Sequence, residues 1–255
     1  MEKAIVVPWD FSEKAEASFR HALILYNILK QPIVLLHVVG KDNEIPEAEA
    51  KLATDAERME NLYNFKPNTK CLRGDIFKTI NLYSKEIHAP LVVMPLHNSK
   101  RAIKVIIGSE VPFYLVRSAP TNNSINDIIV PIDHYEENRV QLNWVVFLSK
   151  FFNSSINIIK PFINSNSKNK LMKNNIFFTK QLLDSKGVVY GVRTAKREMK
   201  FNDAIASFTK EIQGDLIFMM TYNFKDFMKI ADKYECDVPI LCLNPRSVKI
   251  VPDKY

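Results

Sequence analysis

Short blocks of Val, Ile and Leu alternate along this chain with longer stretches in which apolar side chains return every three or four positions. An unbroken apolar block of four to seven residues suits a strand covered on both faces of a parallel sheet. The longer repeat suits a helix with one side laid against that sheet. The pattern predicts strands over 4–7, 33–39, 69–72 and 91–94. Ser12 is placed to cap a helix whose buried stripe is Ala15, Phe19, Ala22, Leu23, Tyr26 and Leu29, with Glu13 and Glu16 in its first turn. Further helices are predicted over 47–64, from the cap Asp75 to Ile87, and over 109–117. Beyond residue 127 the strands are 128–132, 156–160, 188–193, 215–219 and 239–243. The helices there are 136–152, one that follows a polar loop at 164–170 and ends near Lys186, 201–213 and 224–234. Strand and helix in strict alternation imply parallel strands joined by right-handed crossovers.

The alternation contains a repeat. AIVVPWDFSEKAEASFRHALILYNILKQPIVLLHV (4–38) returns as DIIVPIDHYEENRVQLNWVVFLSKFFNSSINIIKP (127–161), and SKEIHAPLVVM (84–94) returns as TKEIQGDLIFM (209–219). Pro8 and Asp10 become Pro131 and Asp133, and Ile33 becomes Ile156. A unit this long is a duplicated domain, not a solenoid repeat of about 20–50 residues. The division is therefore a first domain over 1–121, a linker over 122–126 (NNSIN) and a second domain over 127–255.

Composition changes this picture little. The 255 residues, 47% hydrophobic and 25% charged, are those of a globular protein. No apolar stretch approaches the roughly 18 residues of a membrane span, so no membrane partner is expected. The first strand begins too early to leave room for a signal peptide, and the three cysteines lack metal-ligand spacing. Thiols in a reducing cytoplasm are the expectation. The net charge of +7 is concentrated: residues 160–200 hold ten Lys or Arg against only Asp184 and Glu198. No recognition motif accompanies them, so a solvated helix face is expected and nucleic acid is not; Phe177 and Phe178 are read as core.

VPWDFS after the first strand, LLHVV in the second, Gly74-Asp75 at a helix start, LVVM in the fourth strand, then Gly108-Ser109 and VRSAP resemble the universal stress protein family in its tandem form. The resemblance covers nearly all of 3–121, and the second half follows it in its first, second and fourth strands. It implies an α/β fold of two tandem flavodoxin-like (adenine nucleotide alpha hydrolase-like) domains. Each would carry a parallel five-stranded sheet of order 3-2-1-4-5, with a crevice beyond the carboxyl ends of strands one and four. The polar linker stands where PILCL (239–243) stands in the second copy, so the first domain is expected to have a weak or missing fifth strand.

ATP-binding relatives carry G-x-x-G, nine residues and G-[ST] after the fourth strand, because bare backbone N–H groups cradle the phosphates. Here the first Gly is Pro95, which has no N–H, the second is Asn98, and Gly108-Ser109 remain. The resemblance makes Pro8, Asp10, Val38, Val39, Met94, Asn98, Gly108 and Ser109 the candidate nucleotide contacts of the first domain. Asp10 can equally cap a helix through a backbone N–H. His97 is a loop residue without a paired nucleophile, His37 a satisfied core residue, and His21, His88 and His134 helix-surface or turn residues. In the second copy the segment after the fourth strand reads as eight residues shorter, which leaves Asp133 a structural relic.

The expected function is that of a cytoplasmic, non-enzymatic binding or interaction module of the stress response with degenerate nucleotide sites. No catalytic or metal-binding residues are assigned and no cofactor is expected. The alternatives are an ATP-binding stress sensor that uses the first domain alone, with magnesium, and a slow ATPase acting through His97 or Asp10. The family's dimerisation implies an intramolecular pseudo-dimer of the two halves, with a homodimer as a further assembly.

Overall fold

The computed structural model describes residues 3–96, 103, 105, 106, 109–231, 233, 234 and 236–246. The chain divides into two compact units, 1–122 and 123–255. In the first, β1 (Ile5–Pro8), β2 (Ile33–Val39), β3 (Asn68–Arg73), β4 (Val92–Pro95) and β5 (Phe113–Val116) form a parallel sheet in the order β3-β2-β1-β4-β5. The helices α1 (Glu13–Leu29), α2 (Ile45–Tyr63) and α3 (Ile76–Glu86) connect the strands. Their ends follow local chemistry. The Ser12 hydroxyl accepts from Ala15 N at the start of α1, and Asp75 accepts from Phe77 N and Lys78 N at the start of α3. Lys30 and Asn64 take left-handed φ of 51° and 53° where α1 and α2 stop. Ile5, Val6, Val7, Phe19, Leu35 and Leu36 are buried between sheet and helices.

The second unit repeats the plan. Its strands are β6 (Asp127–Pro131), β7 (Ser155–Lys160), β8 (Tyr190–Thr194), β9 (Leu216–Met220) and β10 (Ile240–Leu243), in the order β8-β7-β6-β9-β10 and again parallel. Its helices are α4 (Leu142–Phe152), α5 (Asn166–Ser185), α6 (Phe201–Glu211) and α7 (Thr221–Ala231). The α/β reading and the 3-2-1-4-5 order thus hold in both halves. Equivalent bonds recur in detail: Trp9 N donates to Leu36 O at 2.8 Å, and its counterpart Ile132 N donates to Ile159 O at 2.9 Å.

Four expectations are corrected. The first unit has a complete fifth strand. Phe113–Val116 is fully buried and pairs with β4, where a helix over 109–117 was expected. Val111-Pro112-Phe-Tyr-Leu-Val116 is the counterpart of Val238-Pro239-Ile-Leu-Cys-Leu243. In each copy the carbonyl of that proline accepts the N–H that opens the fourth-strand ladder, Val92 N at 2.9 Å and Ile217 N at 3.0 Å. The register Val92↔Phe113 against Ile217↔Ile240 also removes the supposed eight-residue shortening, since the second copy's connection is slightly the longer. The polar stretch 164–170 is largely helical, because α5 already begins at Asn166. Lastly, His21 is buried at 7% exposure, and Phe177 and Phe178 are exposed at 62% and 40%, which reverses the expectations for all three.

Candidate functional site

The carboxyl ends of β1 and β4 lie side by side in the first unit, while β2 lies on the far side of β1. This switch point gathers half-buried Pro8, Val38 and Met94, buried Val39 and exposed Asp10. Asp10 leaves β1 just before α1, and its Oδ1 accepts from the N–H of Ser12 at 3.2 Å and from the Ser12 hydroxyl. Ser12, not Asp10, caps the helix, so the carboxylate braces the cap. Its Oδ2 takes no hydrogen bond among the described residues. Phe11, at φ 63°, turns its ring onto His37 with 4.8 Å between centroids, and His37 Nδ1 lies 2.6 Å from Trp9 O. These two rings, Val39, Glu44, Ala48 and Lys51 line a cleft of about 200 Å³ at the end of β2. That volume is below the roughly 300–1,000 Å³ of small-molecule pockets. The Val39 carbonyl accepts from Gly74 N at 3.0 Å.

At the end of β4 the main chain of the described residues is already engaged. Pro95 pairs with Val116 in the sheet, and the N–H of buried Leu96 donates to Val116 O at 2.6 Å. Asn98 and Gly108 lie outside the described residues, as do His97, Arg101 and Lys104. Ser109 is buried; its hydroxyl donates to Val111 O and accepts from Val111 N, each at 3.1 Å. The described helical residues Ile103, Val105 and Ile106 precede Ser109, and β5 follows it, so no helix N-terminus points from Ser109 at a ligand. With the strands in register, HNSKRAIKVI (97–106) stands opposite YNFKDFMKIA (222–231).

The second unit shows the same place with the crevice filled. Asp133, counterpart of Asp10, is buried at 6% exposure. Its Oδ1 accepts from Tyr135 N at 2.9 Å, Asn138 Nδ2 at 2.5 Å and Tyr222 OH at 3.4 Å, and its Oδ2 from Asn223 Nδ2 at 3.3 Å. Helix α7 starts directly after β9, so Tyr222 and Asn223 in its first turn occupy the space beside the carboxylate. Burial, together with the negative charge of Asp133, pushes the Tyr222 phenol well above its ordinary value and keeps it a donor. Asn175 on α5 donates to Asp133 O at 3.1 Å and Tyr135 O at 2.9 Å, and Gln141 donates to Pro131 O at 3.1 Å. The sequence marked Asp133 through the repeat. It gave no sign of Tyr222, Asn223 and Asn175, which reach the carboxylate and its loop from distant elements.

Among the described residues no group of three or more His, Cys, Asp or Glu side chains is placed to hold a metal ion. No described helix is long and apolar enough to cross a membrane.

The universal stress protein family model matches residues 1–122. Among solved structures, the chain is similar to a universal stress protein from Archaeoglobus fulgidus DSM 4304. The two share 17% identity over 94% of this chain and 96% of that one, with a TM-score of 0.74. It is also similar to a functionally unknown protein from Pseudomonas aeruginosa PAO1, at 12% identity over 96% of this chain and 93% of that one, with a TM-score of 0.64. Both likenesses span the two units and carry the fold. No curated protein sequence matches the chain.

Proposed function

We propose, from the membership of residues 1–122 in the universal stress protein family, that the chain is a non-enzymatic binding or interaction module with degenerate nucleotide sites. The observation that carries this reading is the fate of the paired aspartates. Asp133 is buried under four donors from its own unit, which leaves no room for a nucleoside. In the first unit a triphosphate would need backbone N–H groups after β4, and Pro95 has none while that of Leu96 is spent on Val116. The Ser109 hydroxyl is likewise taken up by Val111. A buried-thiol state for Cys71, Cys236 and Cys242 supports a reducing, cytoplasmic setting.

A second reading, an ATP-binding sensor that uses the first unit alone, is favoured by one observation. Asp10 is exposed beside Pro8, Val38, Val39 and Met94, with Oδ2 unbonded among the described residues. That arrangement suits the adenosine end of a nucleotide and supplies nothing for phosphates or magnesium. Thermal melts of the whole protein with Mg-ATP and with adenosine separate the readings. A ligand at a hundredfold excess over Kd raises stability by about 2.7 kcal/mol. The proposal expects no shift with millimolar Mg-ATP. A shift abolished by Asp10→Ala would replace it with the sensor, and phosphate release lost in the same variant would make the protein a slow ATPase. We extend the proposal to assembly: the halves act as an intramolecular pseudo-dimer, so light scattering should give the mass of one chain, and a two-chain mass would mean a homodimer.

A further inference from the structure

Helix α5 is inside out with respect to hydropathy. Its buried face carries Met172 and Leu183 but also Asn175 and Thr179. Asn175 is committed to the loop around Asp133, and Thr179 bonds back to Asn175 O at 2.8 Å. Phe177, exposed at 62%, lies on the side opposite the buried face, and Leu171 and Phe178, exposed at 52% and 40%, lie one above the other on a flank. One turn before and one turn after Phe177 are Lys173 and Lys180, with Lys170 two turns before, all exposed. Asp184 is the helix's one acidic residue against four lysines. Further cations flank the apolar residues: the Arg139 guanidinium lies 4.7 Å from the Phe178 ring centre, and Arg197 lies 5.6 Å from that of Phe162, itself 45% exposed.

We propose that the exposed face of α5 docks on an anionic lipid bilayer, with Phe177 entering the headgroup–acyl boundary and Lys170, Lys173 and Lys180 on lipid phosphates. An exposed aromatic set among lysines on one helix face suits that surface. Nucleic acid fits less well. The outer face of α5 has no arginine to grip phosphates in a fork, and the helix is convex where a strand needs a groove. The inference does not depend on whether the first unit binds a nucleotide.

The test is flotation of the whole protein with vesicles of phosphatidylcholine alone and of phosphatidylcholine mixed with phosphatidylserine. Binding is expected only to the mixed vesicles, and it should be lost when salt is raised from about 0.1 M to about 1 M. Each lysine contributes roughly fivefold, so the K170E/K173E/K180E protein should bind at least about a hundredfold more weakly. Phe177→Ala, which touches no charge, should weaken binding by about tenfold. Both variants leave Met172, Asn175, Thr179 and Leu183 in place, and unchanged urea midpoints would show that the fold is intact. No binding to the mixed vesicles overturns the proposal. So does equal binding to both vesicle types, or capture of a single-stranded oligonucleotide with the same lysine dependence while vesicles are ignored.

Discussion

Two aspartates at equivalent places in a duplicated chain have opposite surroundings, and in the second unit the helix that follows the fourth strand supplies part of the cover. Among the described residues Asp10 meets only the Ser12 cap, whereas Asp133 is covered by Asn138 from its own loop and by Tyr222 and Asn223 from α7. The pairing of the aspartates was legible in the sequence because the Pro-x-Asp spacing is local. Their fates were not, since two of the four donors to Asp133 lie 89 and 90 residues away. Removing a buried acceptor strands its donors, each at a cost of about 1–3 kcal/mol. Asp133→Ala should therefore destabilise the protein by about 2–4 kcal/mol, while Asp10→Ala stays within about 1 kcal/mol. Urea midpoints of the two variants check this, and equal losses would mean that Asp133 is no more structural than Asp10. The same blindness to distant partners explains α5. Nothing in KLMKNNIFFTK tells the reader that Asn175 is wanted inside by Asp133 O and Tyr135 O, so the phenylalanines were assigned to the core.

At the scale of elements, the apolar pattern located nine of the ten described strands. It misplaced the end of the first copy. VPFYLV and VPILCL are the same element, a proline followed by four buried residues. The more visible polar run after VRSAP drew the alignment away from it. Where the copies do align, their differences compensate. Ala89 in the first copy is Gly214 in the second, and Val6 is Ile129. A Cβ on Gly214 would collide with Cδ1 of Ile129 and meet its Cγ1 at 3.1 Å. The methyl that one copy carries on the loop, the other carries on β6. Gly214→Ala should thus cost about 1–3 kcal/mol by overpacking. Combined with Ile129→Val, which restores the first copy's pair, it should cost clearly less than the sum of the two single changes. A double-mutant cycle in urea measures the coupling, and strict additivity would show that the two side chains do not share the space.

For the molecule as a whole, the two units should respond to acid unequally, and each carries its own reporter. Trp9 is buried in the first and Trp144 in the second, and the chain has two tryptophans. His21 sits in the first unit, on α1, covered by the segment that leaves β5. Its Nε2 lies 3.1 Å from Ser118 O, and the neighbouring Arg20 reaches Pro120 O at 3.5 Å. Burial, assisted by the Arg20 charge, pushes the His21 pKa down to about 4. The unfolded imidazole titrates near 6.5. In between, the unfolded chain takes up a proton that the folded unit refuses. The contribution of neutral His21 is therefore complete above about pH 6.5 and is lost as the pH falls towards 4, on the order of 3 kcal/mol in all. Glu16 adds a loss of the same sign at lower pH. Burial works against its charge, but hydrogen bonds from Tyr63 and Arg58 hold the carboxyl below its ordinary value. At about pH 4.5 the His21 effect therefore dominates. Urea unfolding followed by Trp9 fluorescence in the Trp144→Phe protein should move to lower urea between pH 7 and pH 4.5 by more than unfolding followed by Trp144 in the Trp9→Phe protein. His21→Gln keeps an N–H for Ser118 O without titrating, and it should remove most of that difference. Equal shifts of the two reporters, or a difference that survives His21→Gln, would place the acid sensitivity elsewhere in the chain.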